Sequence, residues 1–246
     1  MRPIVMSVDQ PQILACGDSA VTVEFGKVID EAVNRRVLAL DRAVTLAAVA
    51  GIRETVPTYR SLLVHYDPLL IDHGTISEKL IALASDLHDL SIGSRSWRVP
   101  VVYGGDYGID LDNVARIHQI STSEVIAKHT ASRYTVAMIG FTPGFAYLGG
   151  LDPSLATPRR DDPRPQTPSG TISIGGAQAC VQCLASPSGW HLLGRTPVRT
   201  FQPKRDPVFL MEPGDGVTFH AIAAKEFEAL SRAAERGEMV TELVLP

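Results

Sequence analysis

Of the 23 basic residues in this 246-residue chain only five are lysine, and three of the 18 arginines fall in one proline-rich stretch, ATPRRDDPRPQTPSGTISIGGAQ, Ala156–Gln178. The guanidinium group is a planar fork of donors that matches a carboxylate or phosphate in bidentate fashion, which an ammonium cannot do. Proline fixes φ and restricts the unfolded chain, so this stretch can be ordered without regular structure. Arg159, Arg160 and Arg164 therefore have two readings of equal weight, a solvated charge run or an anion clamp on a rigid loop. A second stretch, SPSGWHLLGRTP (Ser186–Pro197), sets His191 among turn residues beside Trp190 and Arg195. A histidine so placed either handles a proton, binds a ligand or packs a turn. Cys180 and Cys183 have the C-x-x-C spacing of redox and metal sites, but no second cysteine pair exists to complete a zinc set. On a strand the two thiols would face opposite sides, so small buried apolar groups are the better expectation. His65, on a half-buried strand, and His88, His118 and His129, on helices, read as packed or solvated residues.

The backbone that must carry these groups is irregular. GFTPGFAYLGGL (Gly140–Leu151) interleaves glycine and proline with Phe141, Phe145 and Tyr147. Glycine and proline rule out a regular helix there, at about 1 and 3 kcal/mol relative to alanine. Such a segment lets the backbone approach a ligand closely while the aromatics wall a pocket; the plainer alternative is that they plug a barrel end. From Tyr134 to Phe219 the chain reads as short strands cut by Pro and Gly, the pattern of a barrel or sandwich.

Upstream, strand and helix signals alternate. Gln12–Gly26 reads as a strand or hairpin. Ile29–Ala48 is an amphipathic helix with Val33, Val37, Leu40, Val44 and Ala47 at helical spacing and Asp30 as N-cap. Two strands flank Pro57, a second helix with Ser77 as N-cap runs to Leu90, and SWRVPVVYGG closes the unit. That β-α-β-β-α-β order is the order of a split βαβ, ferredoxin-like module. The expected organisation is α+β: an N-terminal ferredoxin-like α/β domain over residues 1–93, a hinge near Ser91–Ser96, and a barrel domain over residues 94–246. Helices within the second part are expected in Leu111–Ser132 and Ala223–Gly237.

Composition narrows the function classes. Hydrophobic residues make up 45% and charged residues 20%, with a net charge of −4. That balance is the balance of a globular protein and lacks the basic face of a nucleic-acid binder. No apolar run reaches membrane-spanning length, the N-terminus lacks a signal-peptide core, and three cysteines imply no disulfide framework. A cytoplasmic protein is expected. Neither the phosphate-loop motif nor the dinucleotide fingerprint nor the nucleophile elbow is present.

The stretches GFTPGFAYLGGLDPSLATPRRDDPRPQTPSGTISIGGAQ, SPSGWHLLGRTP and EPGDGVTF, with GIRETVPTYRSLLVHYDPL near the N-terminus, resemble the family of allophanate hydrolase subunit 1, KipI-type kinase inhibitors and the B subunit of 5-oxoprolinase. The resemblance covers Leu14 to Phe219, with several motifs in one order. It implies a cyclophilin-like barrel for the second domain and an ATP-dependent opening of 5-oxoproline to glutamate in a multi-subunit enzyme. The alternatives it carries are inhibition of a sensor histidine kinase, or a part in a urea amidolyase or allophanate hydrolase system. Amidase chemistry would need a Ser–Ser–Lys set in a glycine- and serine-rich segment, which none of the five lysines occupies. Implied partners are an allophanate hydrolase subunit 2-like protein (the C subunit of 5-oxoprolinase) and a LamB/YcsF-type protein (its A subunit), with ATP expected on a partner and no metal on this chain. The expected substrate is a small anionic amide. For such a site the candidate residues are His191 as proton donor or ligand and Arg195 beside it. Phe145 and Tyr147 would form the apolar wall, Arg159 and Arg195 the anion ligands, Gln178 a polar orienter, and Gly175 and Gly176 the points of close backbone approach.

Overall fold

The computed structural model describes residues 11–87 and 95–244. The chain divides into two compact units, Met1–Ile92 and Gly93–Pro246. The hinge expected at Ser91–Ser96 lies outside the described residues apart from Arg95 and Ser96, as does His88.

In the first unit the element order is β1 (Gln12–Ala15), β2 (Ala20–Glu24), α1 (Glu31–Ala47), β3 (Ile52–Pro57), β4 (Ser61–Tyr66) and α2 (His73–Ser85). The four strands form a sheet in the order β1-β2-β4-β3, and every pairing is antiparallel. Because β4 runs against both β2 and β3, those two are parallel to each other, with α1 connecting them. The split βαβ expected from the sequence is therefore present, but the module is closed differently. The position beside β2 is filled by β1 from the N-terminal hairpin, while Ser96–Tyr103 joins the second unit. Hydrophobic alternation cannot tell which sheet a strand enters, since that depends on partners distant in sequence.

Local chemistry explains the helices. Asp30 caps α1 by accepting from the Ala32 and Val33 amides at 2.8 and 3.2 Å. Helix α1 then turns Val37, Leu40 and Val44 into a core with Val21, Val23, Leu62, Val64, Ile76 and Leu80. Helix α2 begins one turn earlier than expected: Asp72, not Ser77, is the N-cap, accepting from the Thr75 amide at 2.9 Å. The Ser77 hydroxyl instead donates back to the His73 carbonyl, a bond open to serine inside a helix.

In the second unit β5 (Ser96–Tyr103) is followed by α3 (Leu111–His118), α4 (Thr122–Ala131), β6 (Tyr134–Ile139) and β7 (Ala146–Gly149). After a short 3-10 turn at Pro153–Leu155 come β8 (Arg164–Thr167), β9 (Thr171–Gly175), β10 (Gln178–Val181), β11 (Ser186–Ser188) and β12 (His191–Arg195). The chain ends with β13 (Gly216–Ala221), α5 (Ala224–Glu235) and β14 (Glu242–Val244). The order β12-β9-β10-β7-β6-β13-β5, with a further β12–β5 pairing, closes a seven-strand barrel. The β5–β13 pair is its parallel pairing; the other ring pairings are antiparallel. Strand β14 lies against the first half of β5 and β12 against its end, so one edge of β5 serves both. At the closure Gly194 is obligatory in practice, because a Cβ there would sit 2.3 Å from the Val102 carbonyl oxygen. The core joins Val99, Val101, Val136, Leu148, Ile172, Ile174, Leu193 and Phe219.

Beneath α4, His129 is fully buried, contrary to the solvated role expected from the sequence. Its ring stacks on Phe219 at 4.8 Å and its Nδ1 is hydrogen-bonded to the Tyr103 hydroxyl at 2.8 Å. Amphipathic spacing misled here because a neutral imidazole is compatible with an apolar face when one nitrogen is bonded.

Candidate functional site

The site is assembled where the β9–β10 hairpin, the start of β12 and the arginine loop meet. Gly175 and Gln178 face each other across a two-residue turn, with Gly176 at φ 62°. Gly175 is required by packing, since a Cβ would lie 2.7 Å from the indole of Trp190. Trp190 is buried together with Phe145 and Cys180, and Tyr147 packs against them. Phe141, Phe145, Tyr147 and Trp190 form a relay of ring contacts at 5.6, 4.6 and 6.0 Å. Phe141 is the exposed end, 62% accessible and held at φ 65°. The aromatics of the glycine-rich segment thus pack in a cluster of their own, apart from the main barrel core.

The arginine loop is pinned to this surface at successive residues. Thr157 exchanges backbone bonds with Gly176 at 3.1 and 2.6 Å. The Pro158 carbonyl accepts from His191 Nε2 at 2.8 Å, and the Arg160 amide donates to the Gly189 carbonyl at 2.7 Å. Buried Asp110, ahead of α3, takes Arg164 in bidentate fashion at 2.9 and 2.7 Å, Arg160 at 3.4 Å, and the Leu192 amide at 2.8 Å. Two of the three loop arginines are therefore structural clamps on a buried carboxylate. Arg159 differs: it is exposed, its guanidinium lies 5.5 Å from the Trp190 ring centroid, and among the described residues it has no carboxylate partner. Neither reading anticipated the pairing of Arg160 and Arg164 with an acid of the same chain.

Arg159 lines an open cleft of about 500 Å³ together with Asn113, Ile117, the other residues of 157–162, Asp161 and Asp162 among them, and His191. A carbonyl can only accept, so His191 Nε2 carries the proton and its Nδ1 keeps a lone pair. That Nδ1 is buried without a partner among the described residues. His118 borders the same loop, with its Nε2 2.9 Å from the Thr157 hydroxyl.

Seven of the eight expected site residues, Phe145, Tyr147, Arg159, Gly175, Gly176, Gln178 and His191, converge on this surface. Arg195 does not. His191 pairs with Ile174 and Arg195 with Thr171, with a register shift between Leu192 and Gly194. Ile174 and Thr171 are an odd number of residues apart and face opposite sides of β9, and cross-strand partners share a face. The inserted residue therefore turns Arg195 away from His191, into a different cavity. Sequence reasoning also passed over Trp190 as the centre of the site and Asp110 as its anchor. The signal for Asp110 would have been a carboxylate buried by no local pattern, which only the fold reveals.

The C-x-x-C pair behaves as expected of buried groups. Burial pushes the Cys180 thiol up to about 12, against a bond from Ser173, and Cys183 accepts from the Phe201 amide at 3.2 Å. That burial disfavours a Cys180 thiolate as nucleophile or ligand at neutral pH.

Residues 11–211 match the model of the carboxyltransferase domain, subdomain C and D. The chain belongs to this family. Among its relatives, the B subunit of 5-oxoprolinase from Bacillus subtilis (strain 168) is 38% identical over 89% of this chain and 95% of its own length. The corresponding 5-oxoprolinase B subunit of Escherichia coli O157:H7 is 37% identical over 82% of this chain and 92% of its own. The fold recurs in the crystal structure of the Kluyveromyces lactis urea amidolyase, with a TM-score of 0.80 and 22% identity over 96% of this chain and 16% of that one. At that identity the likeness concerns the fold alone. No helix among the described residues is long and apolar enough to cross a membrane.

Proposed function

We propose that this chain is the B subunit of an ATP-dependent 5-oxoprolinase and completes an active site shared with partner proteins. The observation that carries the reading is the 37–38% identity to proteins of that name over nearly the whole of both chains. In this reaction water adds across the lactam C–N bond of 5-oxoproline and the product is glutamate. The substrate presents a carboxylate at one end and a lactam carbonyl at the other. Arg159 supports the carboxylate: it is rigidly presented by a pinned loop, backed by the Trp190 ring and, among the described residues, uncommitted to any acid. Phe145 and Tyr147 hold the indole in place from behind. His191 fixes the Pro158 carbonyl through Nε2, and its Nδ1 is the remaining acceptor for a proton or an N–H. Gln178, half-buried at the hairpin, is placed to orient an amide.

ATP with its Mg²⁺ needs oxygen ligands converging on a cation beside a phosphate cradle. Among the described residues no group of three His, Cys, Asp or Glu converges in this way, and the sequence has no phosphate loop. In this reading nucleotide binding and phosphoryl chemistry belong to the C or A partner. An open, one-sided cleft is consistent with a site finished by another protein.

The test is ATP-dependent glutamate release from 5-oxoproline, by this chain alone and co-purified with its A and C partners. Activity confined to the complex, and lost in Arg159→Ala without loss of assembly, is expected. An intact, ATP-binding complex that releases no glutamate would overturn the reading.

A further inference from the structure

The residue that the register shift turns away from the cleft stands in a site of its own. Arg195 lines a cavity of about 380 Å³ between the end of β12 and helix α5. Its Nε and Nη2 both donate to the Ser169 carbonyl, at 3.2 and 3.1 Å, and its guanidinium lies 5.5 Å from the Phe227 ring centroid. These contacts hold the Nε/Nη2 edge of the fork and leave the Nη1/Nη2 edge open. That edge has the geometry that takes a carboxylate through two parallel bonds. Among the described residues no acid pairs with it. Arg199 lines the same cavity and is only loosely matched, 3.7 Å from Glu235. Two guanidinium groups and one carboxylate leave a single positive charge uncompensated in a space whose apolar wall is Leu184, Val198, Phe201 and Phe227, with Thr196 and Ser231 also at its edge.

We propose that this cavity is a second binding site, distinct from the Arg159 cleft, for a small monocarboxylate with a compact apolar body. The carboxylate caps the open edge of Arg195, and the apolar part lies against Phe227 and Phe201. Burial lowers the pKa of Arg195, opposed by nearby Tyr107, the signature of a cation short of a counter-charge. A phosphate dianion would overfill the single surplus charge, and a neutral amide would leave it unanswered. The site is independent of the oxoprolinase reading, because nothing in it requires turnover.

The test uses the full chain with ¹⁵N-labelled arginine, following the Arg195 Nε–H resonance, identified by its disappearance in Arg195→Lys. Butyrate is the probe, with butyramide and inorganic phosphate as comparisons. Saturable movement of that resonance by butyrate is expected, with half-saturation on the order of 1 mM for a ligand of about six heavy atoms. Butyramide should leave it in place. Arg199→Gln should weaken butyrate about two- to five-fold, the loss of one exposed charge contribution. Arg159→Gln should not change it. The proposal is overturned if butyrate produces no saturable shift up to about 50 mM. It is equally overturned if butyramide shifts the resonance as far, or if phosphate binds more tightly than butyrate. The wild-type titration decides the matter even if Arg199→Gln folds poorly.

Discussion

Arg159 and Arg164 lie five positions apart in one loop, yet they should respond to substitution in opposite ways. Arg164 is bidentate on Asp110, whose side chain is 5% exposed and which also accepts from Arg160 and the Leu192 amide. Removing one partner of a buried pair leaves a charge that solvent cannot reach, which is costlier than the net contribution of the pair. Arg164→Gln should therefore destabilise the barrel by about 2–4 kcal/mol, somewhat relieved by Arg160, as read from urea denaturation. Arg159→Gln should change stability by no more than about 0.5 kcal/mol, the usual range for an exposed side chain. Its effect should fall on catalysis by the complex instead. The sequence stretch ATPRRDDPRP made an anion clamp legible but could not say which arginine was free, because the buried acid that occupies the other two lies some fifty residues upstream. Asp110 carries no mark in the sequence that distinguishes it from Asp106 or Asp112.

At the scale of elements, helix α4 holds the clearest pH-dependent feature. Complete burial draws the His129 pKa down from 6.5 to about 3. Between those values the unfolded chain binds a proton that the folded protein refuses, so stability rises with pH across that window and falls as pH drops. The slope from this one group approaches about 1.36 kcal/mol per pH unit, an order-of-magnitude figure given the depth of burial. The stability is fully present above pH 6.5 and is lost progressively toward pH 3. His129→Gln, which keeps a hydrogen-bonding group for the Tyr103 hydroxyl, should flatten this limb relative to the wild type; urea midpoints at about pH 7 and 4.5 would show it. Helix existence here followed from apolar spacing and capping residues, as it did for α1. What spacing did not reveal was that a histidine would sit on the buried face, since imidazole is read as polar until a stacked Phe219 and a hydroxyl partner are supplied by other elements. The register shift in β12 is of the same kind: one extra residue, invisible in a strand pattern, separates Arg195 from His191.

For the whole molecule, each unit carries its own core, one drawn from residues 21–84 and the other from residues 97–219. The closed barrel has every ring strand paired on both edges within its own unit. Residues 95–246 expressed alone should therefore keep a cooperative thermal transition, followed by circular dichroism, and should still shift the Arg195 resonance with butyrate. A non-cooperative melt would show that the barrel depends on the first unit. By itself the sequence determined the α+β class, the helices and their faces, the β-rich second half and a family with its implied chemistry, since all of these rest on local periodicity or contiguous motifs. Only the tertiary structure decided that Ser96–Tyr103 belongs to the barrel and that Gln12–Ala15 takes the edge beside β2. It also decided that Trp190 packs beneath Arg159, that Arg159 has no acid partner among the described residues, and that Arg195 lines a different cavity. Those outcomes depend on which distant partners share a sheet edge or a buried charge, and no local pattern encodes that choice.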